Sequence, residues 1–237
     1  MVDLTGRVAV VTGGSEGIGK AVAHALAREG ASVMLTSRSE DRARAAAAEL
    51  DAGVKGTVRG VACDVRVPEQ CQEMADATVE TFGALHILVN NAGVGVFKPI
   101  QDMTPEEYLT QVETNLNGVF FSTKAALPHL LAADDAWIIN VGSLASRNTF
   151  GGGAGYNASK FGLLGMTEAM MLDLRYEGIR TSIIMPGSVN TGFSPSGDRP
   201  WAIQPEDVGE TVLQLLSYPE HTLVSRVEMR PSVPPRK

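Results

Sequence analysis

Little in this chain offers a route to metal or disulfide chemistry. Only 2 of its 237 residues are cysteine, Cys63 and Cys71, too few for a disulfide framework or a four-thiolate zinc site. The 4 histidines, His24, His86, His129 and His221, make no HxxxH or HxH pair, so no metal is expected. Positive charge is also scarce: 20 Lys and Arg stand against 27 Asp and Glu, a net charge of -7 and a pI near 5.1. That is the wrong sign for a protein that grips nucleic acid by counterion release. No run approaches the roughly 18 uninterrupted apolar residues of a membrane-spanning helix. The opening Met1-Val2-Asp3-Leu4-Thr5-Gly6 lacks the basic and then apolar start of a secretory signal. A soluble, cytoplasmic protein with no nucleic-acid or membrane partner is expected.

What the chain does have is a globular balance, 44% hydrophobic and 20% charged residues, which excludes wholesale disorder and coiled coil. Short apolar, β-rich runs recur at Val8–Val11, Ser32–Thr36, Thr57–Ala62, His86–Val89, Trp137–Val141, Thr181–Met185 and Leu223–Met229, with helix-like segments between them. Strand and helix in alternation predict a parallel sheet of about seven strands with helices on both faces. Helix openings are legible at Ser39-Glu40-Asp41, Pro68-Glu69, Thr104-Pro105-Glu106-Glu107 and Pro205-Glu206-Asp207, and Tyr156–Tyr176 reads as one long helix. With no repeat or linker, residues 1–237 read as one doubly wound α/β domain. The irregular stretches are 190–204, a candidate substrate loop containing Phe193 and Trp201, and the tail 231–237. The two aromatics suit either closure over an apolar substrate or packing on the core.

Directly after the first strand comes Thr12-Gly13-Gly14-Ser15-Glu16-Gly17-Ile18-Gly19, which opens the first helix. Gly13, Gly17 and Gly19 carry no β-carbon, so the backbone can approach a pyrophosphate, whose charge meets free N–H groups at the helix start. The stretch Gly13-Gly14-Ser15-Glu16-Gly17 also satisfies the G-x-S-x-G of a hydrolase nucleophile elbow. That reading fails because the oxyanion loop must come from an earlier strand, and none precedes this one. About 20 residues on, where an acid would hold the ribose hydroxyls of NAD, the chain reads Thr36-Ser37-Arg38-Ser39. A guanidinium there suits a 2′-phosphate, with Ser37 and Ser39 assisting, and points to NADP(H) over NAD(H). A solvated surface charge is the alternative for Arg38. Further along, Tyr156 and Lys160 stand at i and i+4 on one helix face. A neighbouring ammonium stabilises a phenolate and brings a tyrosine toward proton exchange near neutral pH.

Together with Asp64-Val65, Asn90-Asn91-Ala92-Gly93, Asn115, Gly142-Ser143 and Pro186-Gly187, these motifs make the chain resemble the short-chain dehydrogenase/reductase family, a Rossmann-fold family, along nearly its whole length. The resemblance implies an oxidoreductase that moves a hydride between a nicotinamide and the carbon of a ketone, aldehyde or secondary alcohol. In that picture Tyr156 exchanges the proton of the substrate oxygen and Ser143 hydrogen-bonds it. Lys160 lowers the Tyr156 pKa and holds the nicotinamide ribose, and Asn115 anchors a water-linked proton path to Lys160. The resemblance further implies that Asp64 accepts from the adenine amino group and that Asn91 holds the cofactor. Val189 and Thr191 meet the carboxamide, while Ser15, Glu16, Ile18, Val65, Ala92, Gly93, Pro186 and Gly187 line the cofactor. Glu16 departs from NADP-preferring relatives, which resemble one another in carrying Lys or Arg there. Carrier-bound 3-oxoacyl substrates are disfavoured by the acidic Ala132-Ala133-Asp134-Asp135. A nucleotide-sensing protein without catalysis is the rival from another class. The helices equivalent to Thr104–Leu130 and Tyr156–Tyr176 commonly pair between subunits in the family, which implies a homodimer or homotetramer. Met166, Met170 and Met171 suit such pairing or simple core packing.

Overall fold

The computed structural model describes residues 2–193 and 198–235; positions 194–197 of the expected loop and 236–237 of the tail lie outside the described residues. Seven strands, β1 (Val8–Val11), β2 (Ser32–Ser37), β3 (Thr57–Ala62), β4 (Ile87–Asn90), β5 (Ala136–Val141), β6 (Ile179–Pro186) and β7 (Arg226–Met229), form one sheet in the order β3-β2-β1-β4-β5-β6-β7. Every pairing is parallel. The chain grows outward from β1 to β3, then returns to the far side of β1 with β4. That reversal opens a crevice at the carboxyl ends of β1 and β4.

Alternation along each strand builds two cores. Ala9 and Val11, Ile87 and Val89, and Trp137 and Ile139 point to one face, where α1 (Gly17–Arg28), α2 (Glu40–Asp51) and α7 (Pro205–Leu216) cover them. Val10, Leu88 and Ile138 point to the other, under α3 (Pro68–Phe82) and α5 (Gly118–Leu131). A third cluster, Val119, Leu163, Ile183 and Met185, seats α6 (Ala154–Leu174) on the sheet.

The helix starts follow the expected chemistry. Ser39 caps α2 by accepting from the Arg42 N–H, and α3 and α7 begin with proline. Thr104 and Glu107 close a capping box on α4 (Pro105–Val112). The run expected as a single helix from Thr104 to Leu130 contains a π-helical turn, Glu113–Asn117, between α4 and α5. The long helix ends at Leu174 in a 3-10 turn, Arg175–Glu177, before left-handed Gly178. β7 starts at Arg226, later than expected, and Val224 O accepts from the Ser182 hydroxyl instead. At the amino-terminal edge of the sheet, Asp135 takes a left-handed φ of 54° and pairs with both Arg7 and Arg180. No helix among the described residues is long and apolar enough to cross a membrane.

Candidate active site

The crevice begins at the glycine turn. Gly13 and Gly17 adopt φ of 62° and 52°, a region where a side chain is strained. A β-carbon on Gly19 would lie 2.3 Å from the Gly13 carbonyl oxygen and 2.4 Å from Asn91 Nδ2, so glycine alone lets α1 start this close to the turn. The N-cap residue of α1, Glu16, makes no side-chain cap, which leaves the first N–H groups of the helix available to an anion. The turn is tied to its neighbours through backbone: Gly14 N–H donates to Thr36 O at 2.8 Å and Gly13 N–H to Thr36 Oγ1 at 3.3 Å. Exposed Arg38 therefore stands beside the turn, with Ser37 buried below it. Ser15 and Ile18 are half-buried along the turn.

Across the crevice, β4 delivers Asn91, Ala92 and Gly93. The Thr12 hydroxyl accepts from the N–H groups of Asn91 and Ala92, at 3.0 and 3.1 Å. Asn91 Nδ2 donates to Thr12 O and Gly13 O, at 2.9 and 3.1 Å. Asn91, expected to help hold the cofactor, uses its side-chain N–H groups to fix the glycine turn. Asp64 is likewise engaged: its carboxylate accepts from the Arg66 guanidinium at 2.5 to 3.1 Å, which, more than any other neighbour, holds its pKa below the ordinary range. Val65 is buried against Gly118, where a β-carbon would approach it to 2.7 Å.

The catalytic candidates converge from three elements. Ser143 follows β5 in extended backbone, its hydroxyl accepting from the Ala145 N–H at 3.1 Å. Tyr156 sits in the first turn of α6, near enough to Ser143 for that hydroxyl to favour its phenolate. Lys160 lies one turn later, buried, its Nζ donating to Val141 O at 2.9 Å. Asn115, in the π turn, is fully buried: Oδ1 accepts from Val94 N–H and Nδ2 donates to Val94 O, each at 2.8 Å, and to Ser159 Oγ at 3.0 Å. A β-carbon on Gly93 would stand 3.3 Å from Asn115 Oδ1 and 4.0 Å from Lys160 Nζ, so these three meet.

The electrostatics differ from expectation at the pair itself. Burial raises the Tyr156 pKa, and the Ser143 hydroxyl opposes that rise. Burial lowers Lys160 from its ordinary 10.5 to about 8. The ammonium is 5.8 Å from the Tyr156 ring centroid and is directed at a backbone carbonyl, so in this conformation it does not offset the rise that burial causes in the phenol. After β6, Gly187 N–H donates to Met229 O at 2.9 Å, and Val189, buried, bridges to Ile203. Thr191 rests its methyl 3.3 Å from where a β-carbon on Gly17 would stand.

The sequence profile of short chain dehydrogenases matches residues 7–199. The chain belongs to that family. An uncharacterized oxidoreductase of Staphylococcus saprophyticus is 33% identical over 235 residues, 98% of this chain and 100% of its own. The alcohol dehydrogenase of the archaeon Thermococcus sibiricus, solved with 5-hydroxy-NADP, matches at a TM-score of 0.91 and 31% identity, over 98% of this chain and 99% of that one. A metagenomic short-chain oxidoreductase solved with NADP matches at 0.86 and 36%, over 98% and 99%.

In this short chain dehydrogenase, several residues that build the site went unread in the sequence. Thr12 is the hydroxyl that fastens β1 to β4. Asn157, next to Tyr156, donates to Ala145 O and Asn148 O at 2.8 and 3.0 Å and so fixes the turn that carries Ser143. Gln111, buried, accepts from the Val96 N–H at 3.0 Å and shapes the loop after β4. Arg199 donates to Val189 O at 2.7 Å. The acceptors are mostly backbone carbonyls, which residue types do not announce. Phe97 and Phe193 also pack around Tyr156, whereas Trp201 joins no ring of that group among the described residues.

Proposed function

We propose that the protein is an NADP(H)-dependent oxidoreductase that interconverts a ketone or aldehyde with the corresponding alcohol. The observation that carries this is the convergence of Ser143, Tyr156 and, one helical turn on, buried Lys160 at the sheet edge shared with the glycine turn. The turn suits a dinucleotide: it is free of β-carbons where backbone must come close, and its helix start is uncapped. A nicotinamide cofactor held there supplies or takes up the hydride. In reduction Tyr156 gives its phenolic proton to the substrate oxygen while Ser143 donates a hydrogen bond to it; in oxidation Tyr156 takes that proton back. Lys160 and Asn115 serve proton supply, and Lys160 also holds the ribose. Arg38 with Ser37 binds the 2′-phosphate, in keeping with the NADP and 5-hydroxy-NADP of the two solved relatives. Asp64, Val189 and Thr191 are assigned to the adenine and carboxamide ends. Asn91 acts through the turn it fixes.

The test is a thermal-shift titration with NADPH and NADH side by side, followed by a carbonyl screen. A ligand at about 100 times its Kd adds roughly 2.7 kcal/mol, several degrees for a protein this size. The expected result is a shift with NADPH where NADH does little, and loss of turnover by about 10²-fold or more in Tyr156→Phe with that shift retained. Near wild-type turnover in the variant overturns the mechanism, and preference for NADH overturns the role of Arg38.

A further inference from the structure

We infer that the substrate is an uncharged ketone, or its secondary alcohol, bearing an aromatic or similarly flat apolar group, and that Phe97, Phe150 and Phe193 select it. This rests on the oxidoreductase reading of Tyr156 and goes beyond it to the substrate class.

Four rings from four segments meet at the catalytic candidate. Phe97, in the loop after β4, stands edge-on to Tyr156 with centroids 5.4 Å apart. Phe193, in the segment after β6, lies 5.9 Å from the same ring and 6.3 Å from Phe97. Phe150, just before α6, is 5.7 Å from Phe97. Tilted and edge-to-face geometries of this kind are what aromatic rings adopt with one another.

These rings are not spent on the core. Phe97, Phe150 and Phe193 remain 44%, 45% and 43% exposed, and none belongs to the buried clusters that hold the sheet and helices together. Contiguous apolar surface left open around a polar centre marks a ligand site. The backbone is cleared for the rings: a β-carbon on Gly95 would come within 2.8 Å of Phe97 Cζ and Phe193 Cζ, and one on Gly153 within 2.8 Å of Phe150 Cε2.

Charge supports the same class. Lys98, adjacent to Phe97, is paired with Glu107, and Arg147, near Phe150 in the chain, is paired with Glu228. Lys160 is buried on Val141 O. Lys98 and Arg147 are therefore held by carboxylates, and Arg199 of the Phe193 segment is turned to Val189 O, so a substrate carboxylate or phosphate placed among the rings would lose water without gaining either of the first two as a partner. An aryl group there would meet ring faces and edges while its carbonyl oxygen reaches Tyr156 and Ser143.

The experiment compares NADPH-supported reduction of acetophenone, butanone and benzoylformate by the wild type, Phe97→Ala and Phe193→Ala, each checked for fold by circular dichroism. The expected wild-type kcat/KM is at least about 100-fold higher for acetophenone than for butanone, and at least about tenfold higher than for benzoylformate, a tenfold step being the scale of one well-packed ring. Each alanine variant lowers acetophenone at least about tenfold more than butanone, mainly through KM, and Phe97→Tyr restores most of the loss. Equal rates for the three ketones, preference for benzoylformate, or variants that depress all ketones alike overturn the inference while the oxidoreductase reading stands. If no ketone turns over, that reading falls, and saturation-transfer NMR of acetophenone and butanone on the protein with NADP⁺ decides the pocket separately. Acetophenone signals lost in both alanine variants sustain the aromatic site; signals equal for the two ketones, or absent in the wild type, overturn it.

Discussion

Lys160 carries its ammonium into a site where only a backbone carbonyl receives it. With a folded pKa of about 8 against an ordinary 10.5, the unfolded chain binds more protons than the folded one between those values. Stability therefore rises with pH from about 8 to about 10.5, by up to about 1.4 kcal/mol per unit, and the full cost of the buried charge is felt below pH 8. Denaturant unfolding at pH 7 and pH 9.5 should show the wild type gaining on Lys160→Met over that interval; parallel curves would mean the lysine is not perturbed. Gly19 gives a second expectation at this scale. Its β-carbon would strike the Gly13 carbonyl and the Asn91 amide, and the contact with backbone leaves no side chain free to yield. Gly19→Ala should lose about 2 kcal/mol or more of stability, the scale of strained overpacking, and should weaken NADPH binding in the same thermal-shift assay. An unchanged melting temperature would show that the turn relaxes easily.

Elements were legible wherever local chemistry decides them. The strands of a parallel sheet are apolar on both faces, so Val8–Val11 and Ile87–Val89 stand out as short apolar runs, the second within a strand that runs on to Asn90. The capping box at Thr104 and Glu107 is equally local, and Thr104→Ala should cost about 1 kcal/mol in chemical denaturation; a change below a few tenths would show that α4 is held by packing alone. The glycine turn after β1 was readable because its backbone demands glycine. The rest of the site depended on contacts that no spacing encodes. Lys160 was read correctly as the neighbour of Tyr156 along the helix, yet its partner is Val141 O, a backbone atom indifferent to residue type. Asn91 was placed at the right strand end, but its amide is consumed by Thr12 O and Gly13 O. The π turn at Asn115 has no compositional mark. Phe97, Phe150 and Phe193 come from separate loops, and only the assembled fold gathers them, Phe97 and Phe193 against Tyr156 and Phe150 against Phe97.

At the scale of the whole molecule, apolar side chains remain open on the helices that the family resemblance marked for pairing. Leu109 on α4, Phe120 on α5, and Phe161 and Leu172 on α6 are all exposed, which favours association with a second copy of the chain. Light scattering at micromolar concentration should give a dimer or tetramer, and a monomer would leave these side chains without that role. The topology also sets an order of events during synthesis. Helix α1 begins at the nucleotide turn, but its outer side is covered by α7 at the far end of the chain: a β-carbon on Gly209 would stand 3.1 Å from Ala25 Cβ and 3.0 Å from Ala21 O, and Val22 and Leu26 share a core with Val208 and Val212. At about 5–20 residues per second a ribosome needs roughly 10–40 s to pass from the end of α1 to the end of α7. Throughout that interval the flank of α1 that α7 later covers lacks its partner, so this face of the molecule closes only when synthesis is nearly complete.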